Sequence, residues 1–159
     1  MKTPKLVLLV LTLSLFSAAG AHASQQLAAS PNQPAFDSAK RALDRADADD
    51  AITMLTALRP TLRRDGDIAQ YASLLCRAHH QNGDYAAAIK ACSEALDTRI
   101  AHWGDYNNRG AAKLMLGDAR GAIDDLRKAN ALRPGVSAVR RNLARAIKAE
   151  ARATRVAGN

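Results

Sequence analysis

Of the 159 residues, 23 are Lys or Arg and 15 are Asp or Glu, giving a formal net charge of +8. The length suits one domain with a continuous core. From Phe36 onward the chain is rich in Ala, Leu, Arg and Asp and poor in β-branched residues, a composition that favours helices and leaves strands no good candidate.

The N-terminal stretch has the layout of a secretory signal. Lys2 and Lys5 precede an apolar run, Leu6 to Leu11, that continues through Leu13, Leu15 and Phe16 and ends in small residues at Ala21-His22-Ala23. The run is shorter than the about 20 apolar residues a transmembrane helix needs, so cleavage after Ala23 is expected, the alternative being an uncleaved anchor. No cysteine follows the cleavage site, unlike a lipoprotein signal. A periplasmic or secreted location follows from this reading. Residues 24–34 are polar, with Pro31 and Pro34, and read as a flexible leader.

Without Lys2 and Lys5 the remaining chain carries 21 basic and 15 acidic residues. From Ser137 onward six residues are basic (Arg140, Arg141, Arg145, Lys148, Arg152, Arg155) and Glu150 alone is acidic. Positive charge is therefore concentrated at the C-terminus.

An internal repeat organises the middle. Gly83-Asp84 recurs 34 residues later as Gly117-Asp118, and at that offset Ala78, Ala88, Ile89 and Ala95 match Ala112, Ala122, Ile123 and Ala129. Small residues let two helices approach closely, and a Gly-Asp pair ends one helix with a left-handed glycine and starts the next with an aspartate N-cap. Residues 103–136, with Tyr106, Gly110, Ala122, Leu126, Ala129 and Pro134, resemble a tetratricopeptide (TPR) repeat. Residues 69–102 match it through Leu75, Ala88 and Ala95. Residues 35–68 match in outline through Ala42, Leu55 and Leu58, with Asp49-Asp50 standing for Gly-Asp and Pro60 kinking the second helix. Past Pro134-Gly135, Val139, Leu143, Ile147 and Ala151 form an apolar stripe on a capping helix over 137–155. The resemblance implies an all-α, TPR-type helical-hairpin solenoid over 35–156, with about three helix pairs and a cap.

Chemistry-bearing motifs are sparse. His79 and His80 are adjacent and so point about 100° apart on a helix, and Cys76 with His79 lacks an orienting Asp or Asn. No catalytic site, metal site or cofactor is expected. Cys76 and Cys92 lie on the two helices joined at Gly83-Asp84. They are either bridged, as an even cysteine count in an exported chain suggests, or buried and reduced. Arg109 stands where the TPR pattern usually has Leu. Asp125 lies 16 residues on, across the hairpin, which suggests a structural ion pair; one repeat earlier the two positions are Leu75 and Ala91.

The resemblance further implies a peptide-binding groove along the first helix of each pair. It would be lined by Gln70, Ser73, Arg77 and His80, then Asn107 and Asn108, then Arg141, Asn142, Arg145 and Lys148. Amide and cationic donors suit an acidic peptide. A second reading uses the last helix directly. Arg141, Arg145, Lys148, Arg152 and Arg155 form a basic stripe roughly 140° from the apolar one, suited to a membrane surface or other polyanion. Nucleic acid is not expected, because no aromatic residue is interleaved for base stacking. Three readings thus stand: a protein- or peptide-binding scaffold, a module for anionic surfaces, and a solenoid that self-assembles by end-to-end stacking.

Overall fold

The computed structural model describes residues 30–98, 100 and 102–157. The expected signal segment, its cleavage site and leader residues 24–29 lie outside the described residues. Among the described residues seven α-helices follow in order: α1 (Gln33–Asp44), α2 (Ala48–Leu58), α3 (Asp65–Asn82), α4 (Tyr85–Leu96), α5 (Trp103–Met115), α6 (Ala119–Leu132) and α7 (Ser137–Ala157). Among the described residues there is no strand.

Three hairpins are made by the same turn. In each, a residue one or two positions past the first helix adopts a left-handed backbone: Ala46 (φ 61°), Gly83 (φ 82°) and Gly117 (φ 89°). The following aspartate N–H then reaches back five residues, from Asp47 to Ala42 O, Asp84 to His79 O and Asp118 to Lys113 O, each at 2.9 Å. The first turn corrects the sequence reading. Asp49 and Asp50 are not the turn but lie in the first turn of α2, where acids favour the positive helix end. The turn is Ala46-Asp47, 37 residues rather than 34 before Gly83-Asp84. The extra length lies in α3, which starts at Asp65, ahead of the expected unit boundary at 69. Pro60 likewise does not kink α2. The helix ends at Leu58, and Pro60, lacking an N–H to bond back, sits in a 3-10 turn over Arg59–Thr61. At the start, α1 begins inside the expected leader, because Pro34 fits the first helical turn.

Shifting the first hairpin by those three residues aligns the cores. Ala39, Ala51 and Leu55 then stand 71 residues before Gly110, Ala122 and Leu126, and all six positions are buried. The crossing point of each hairpin is tight. A Cβ on Gly110 would fall 2.8 Å from Leu126 Cγ and 3.1 Å from the backbone oxygen of Ala122. In the middle hairpin the same two positions are Cys76 and Cys92, which are disulfide-bonded and fully buried, with Cα atoms 4.7 Å apart. Cysteine buries less apolar surface than Leu126 does, and a cross-link closing a loop of this size stabilises by about 3 kcal/mol in the chain-entropy model.

The array has a curved logic. The first helices touch one another (α1 with α3, α3 with α5, α5 with α7), whereas α2, α4 and α6 each contact the first helices before and after them. The first helices therefore form the inner face. On α7, Val139 and Ala146 are buried and Leu143 packs beside Leu126, but Ile147 is 49% exposed and Ala151 is exposed. The capping contact is thus Val139, Leu143 and Ala146, not a stripe running on to Ala151. Steps of four residues drift about 40° each on a helix of 3.6 residues per turn and leave the interface.

Ala46 provides a test of the shared turn. A left-handed backbone disfavours any residue with a Cβ by roughly 1–2 kcal/mol, and the two other hairpins use glycine there. Ala46→Gly is expected to raise stability by about 0.5–1 kcal/mol, after allowing for the greater unfolded freedom of glycine. Urea unfolding measures it; a loss of stability would show that this turn is not held as described.

Candidate functional site

The inner face carries a cleft of about 400 Å³ between α3 and α5. Ser73, Leu74, Arg77 and Gln81 line one wall, and Trp103, Asp105, Asn107 and Asn108 the other. Side chains four residues apart on α3 share a face, which places Ser73, Arg77 and Gln81 in one row along the cleft.

The floor is polar and held across the helices. Asp105 is 3% exposed and its Oδ1 accepts from the Ser73 hydroxyl at 2.5 Å. Burial pushes the Asp105 carboxyl above the ordinary aspartate value, and the Ser73 hydrogen bond partly offsets that. Further along, Asn142 Nδ2 of α7 donates to Asn107 Oδ1 at 3.1 Å, and Asn107 Nδ2 donates to Asn108 Oδ1 at 3.3 Å. Arg77 pairs with the exposed Asp44 at 2.8 Å, a surface contact worth about 0–1 kcal/mol and readily exchanged. At the start of α5 the Arg133 guanidinium lies over the Trp103 ring, 5.2 Å from its centroid. Trp103 Nε1 is buried and has no hydrogen-bond partner among the described residues.

The structure gathers part of the residue set read from the sequence. Ser73, Arg77, Asn107 and Asn108 line the cleft, and Asn142 reaches its edge through Asn107. Gln70 and His80 are not in its lining. His80 is half-buried with its ring edge-on to Tyr85 of α4, centroids 6.0 Å apart, and burial lowers its pKa. Arg141, Arg145 and Lys148 also stay out of the lining; they are exposed on the side of α7 away from its buried residues. A helix that spends one face on capping turns residues some 150° away outward. Asp105, Trp103 and Gln81 were missed. Asp105 stands in the first turn of α5, where an acid ordinarily favours the helix dipole from the surface, and only the packing of α3 makes it a buried partner of Ser73.

Beside the cleft, Arg109 and Asp125 form a two-pronged pair, Nε to Oδ2 at 2.9 Å and Nη2 to Oδ1 at 2.8 Å. Two further partners were not foreseen. Lys113 Nζ lies 2.8 Å from Asp125 Oδ2, and Arg109 Nη1 donates to Ser93 Oγ of α4 at 3.0 Å. Lys113 was detectable, being four residues from Arg109 on the same helix face. Burial pushes the Asp125 carboxyl up, but the hydrogen bonds and charges of Arg109 and Lys113 outweigh it and hold the group below the ordinary aspartate range. The network ties α5 to α6 and both to the preceding hairpin.

Together these features define a TPR-type helical solenoid with a polar inner cleft. Solved structures share the fold. The first TPR domain of the human RPAP3 protein superposes with a TM-score of 0.65 at 20% identity, over 74% of this chain and 90% of that domain. The myosin chaperone UNC-45 from C. elegans, solved in complex with a Hsp90 peptide, gives 0.65 at 25% identity over 74% of this chain and 13% of that one. Among curated proteins, tetratricopeptide repeat protein 36 of Danio rerio is 36% identical over 55 residues, which are 35% of this chain and 29% of that relative. No protein-family model matches the chain.

Asp125 sits between two cations, so its loss is severe unless they go too. Asp125→Ala is expected to destabilise by roughly 2–4 kcal/mol, toward the lower side of the buried-pair range, because it leaves two half-buried cations unpaired. Combining it with Arg109→Leu recreates the pair found at Leu75 and Ala91 and should destabilise by clearly less. A double-mutant cycle by urea unfolding reads this, and simple additivity would refute the coupling. Since the folded pKa of Asp125 is depressed, its contribution is present above the unfolded aspartate value and is lost as pH falls through the folded one.

Proposed function

We propose that this protein is a non-enzymatic scaffold that binds a protein or peptide partner in the α3–α5 cleft, and that the partner has acidic character. The observation that carries the reading is the row of groups facing one another across two first helices: Ser73 and Arg77 on α3, Asn107 and Asn108 on α5. Carboxamide side chains can donate to and accept from a peptide backbone. Arg77, paired with an exposed Asp44, suits a carboxylate through charge-assisted hydrogen bonds. UNC-45, which shares the fold, has been solved with a Hsp90 peptide. The acidic preference rests on Arg77 alone, since α7 adds no cation to the cleft lining.

Titrating isotope-labelled protein with a short acidic peptide, followed by NMR, tests the site. Shifts are expected at Arg77, Asn107 and Asn108, and Arg77→Ala should weaken binding about tenfold or more. Shifts confined to other surfaces would overturn the assignment.

We also propose that the chain is exported to the cell envelope, on the strength of the basic start, apolar run and Ala21-His22-Ala23 end. N-terminal sequencing of the protein from the producing cell should begin at Ser24. A product retaining Met1 in the cytosolic fraction would contradict this.

A further inference from the structure

The last helix is longer than its capping role requires. At the 34-residue spacing, Ala151 is the counterpart of Gly117, where α5 has already given way to its turn. Yet α7 continues to Ala157, and every residue from Ala151 to Ala157 is exposed. The final turns stand clear of the solenoid.

That helix is sharply two-sided. Val139, Leu143 and Ala146 face the core, and Glu150 turns to Arg120 of α6 at 3.7 Å. Arg141, Arg145, Lys148, Arg152 and Arg155 fall within an arc of about 80° centred roughly 165° from the core, at 3.6 residues per turn. All five are exposed, and among the described residues none forms an ion pair. They run for about 21 Å along the helix axis at 1.5 Å per residue. With the acid of α7 turned away and paired, this face is cationic without relief.

The chemistry of the face selects its partner. A specific protein interface draws its affinity from buried aromatic or other large anchors seated in pockets, and the cationic arc carries instead only the small Ser137, with Ala138, Ala144 and Ala149 along its edges. Base stacking has no aromatic platform there either. The apolar side of α7 is engaged with the solenoid, so the helix cannot embed in a bilayer as a free amphipathic helix does. Among the described residues, no helix is long and apolar enough to cross a membrane. What fits is an extended, nearly flat field of negative charge that demands no pocket.

We propose that the outward face of α7 docks the protein on an anionic lipid bilayer by charge alone, leaving the α3–α5 cleft free. Each cation near an anionic leaflet improves partitioning about fivefold, so five aligned cations yield reversible adsorption. The exposed Val156 (80%) lies on the overhang beside Arg152 and Arg155, a single apolar side chain that adds little to five cations.

Co-sedimentation with vesicles of phosphatidylcholine plus phosphatidylglycerol, against phosphatidylcholine alone, tests this. Binding is expected only with the anionic lipid and should vanish in about 1 M salt, where the screening length is about 3 Å. The triple variant R141Q/R145Q/K148Q should bind on the order of 100-fold more weakly with an unchanged thermal transition. R152Q/R155Q, confined to the overhang and therefore harmless to the core, should also weaken binding. The triple variant should still bind the acidic peptide assigned to Arg77, Asn107 and Asn108, so failure of the cleft reading and of this one are distinguishable. Equal binding to neutral vesicles, unaltered binding by both variants, or capture of soluble polyglutamate without any vesicle binding would each overturn the proposal.

Discussion

The close approach of two antiparallel helices, repeated three times, is the constraint on which this molecule depends. At each hairpin crossing one position must be small, and the three solutions differ: Ala39 under Leu55, Cys76 bonded to Cys92, and Gly110 under Leu126. Alanine and glycine permit the approach but contribute little apolar burial of their own. The larger buried side chains, Phe36, Leu43, Leu55, Leu126 and Val139, supply more, since fully burying one of that kind contributes about 1.5–3 kcal/mol. The disulfide lies in the hairpin whose crossing lacks such a residue. A shared turn with a left-handed residue and a backbone bond from the following aspartate fixes the angle at which each pair closes.

The last hairpin has a second fastening. Arg109 and Lys113 converge on Asp125, and Arg109 reaches back to Ser93 on α4. One repeat earlier, at Leu75 and Ala91, the same space is filled by apolar side chains that join the packing around the disulfide. Charge and charge are exchanged together for apolar and apolar, as expected where a buried charge without its partner is far more unfavourable than either complete arrangement.

Two surfaces of different character result. The α3–α5 cleft is polar and internally bonded, with one exchangeable cation at Arg77. The outer side of α7 is cationic, unpaired and free of large anchors along its length. Their separation follows from the cap. Once α7 commits Val139, Leu143 and Ala146 to the solenoid, helical geometry sends its arginines away from the cleft, and Asn142 is left to meet α5 through Asn107.

Much of this was readable in the residues. Gly83-Asp84 and Gly117-Asp118 at a 34-residue spacing point to helical hairpins, because glycine suits a left-handed helix end and aspartate the start of the next helix. Asp118 caps α6 through the Gly121 N–H, whereas Asp84 makes no side-chain cap bond. Arg109 and Asp125 announce their pairing by vanishing together one repeat earlier. The first hairpin was legible only in outline, since alanine at position 46 disguises a glycine-like turn and the longer α3 breaks the period. The membership of the cleft was decided by tertiary structure alone. Whether Asp105 is a surface acid or the buried acceptor of Ser73, and whether Arg141 faces a groove or solvent, depends on how neighbouring helices are rotated against one another. Local sequence fixes where a side chain lies around its own helix, and packing across the array fixes which part of that circumference is left open.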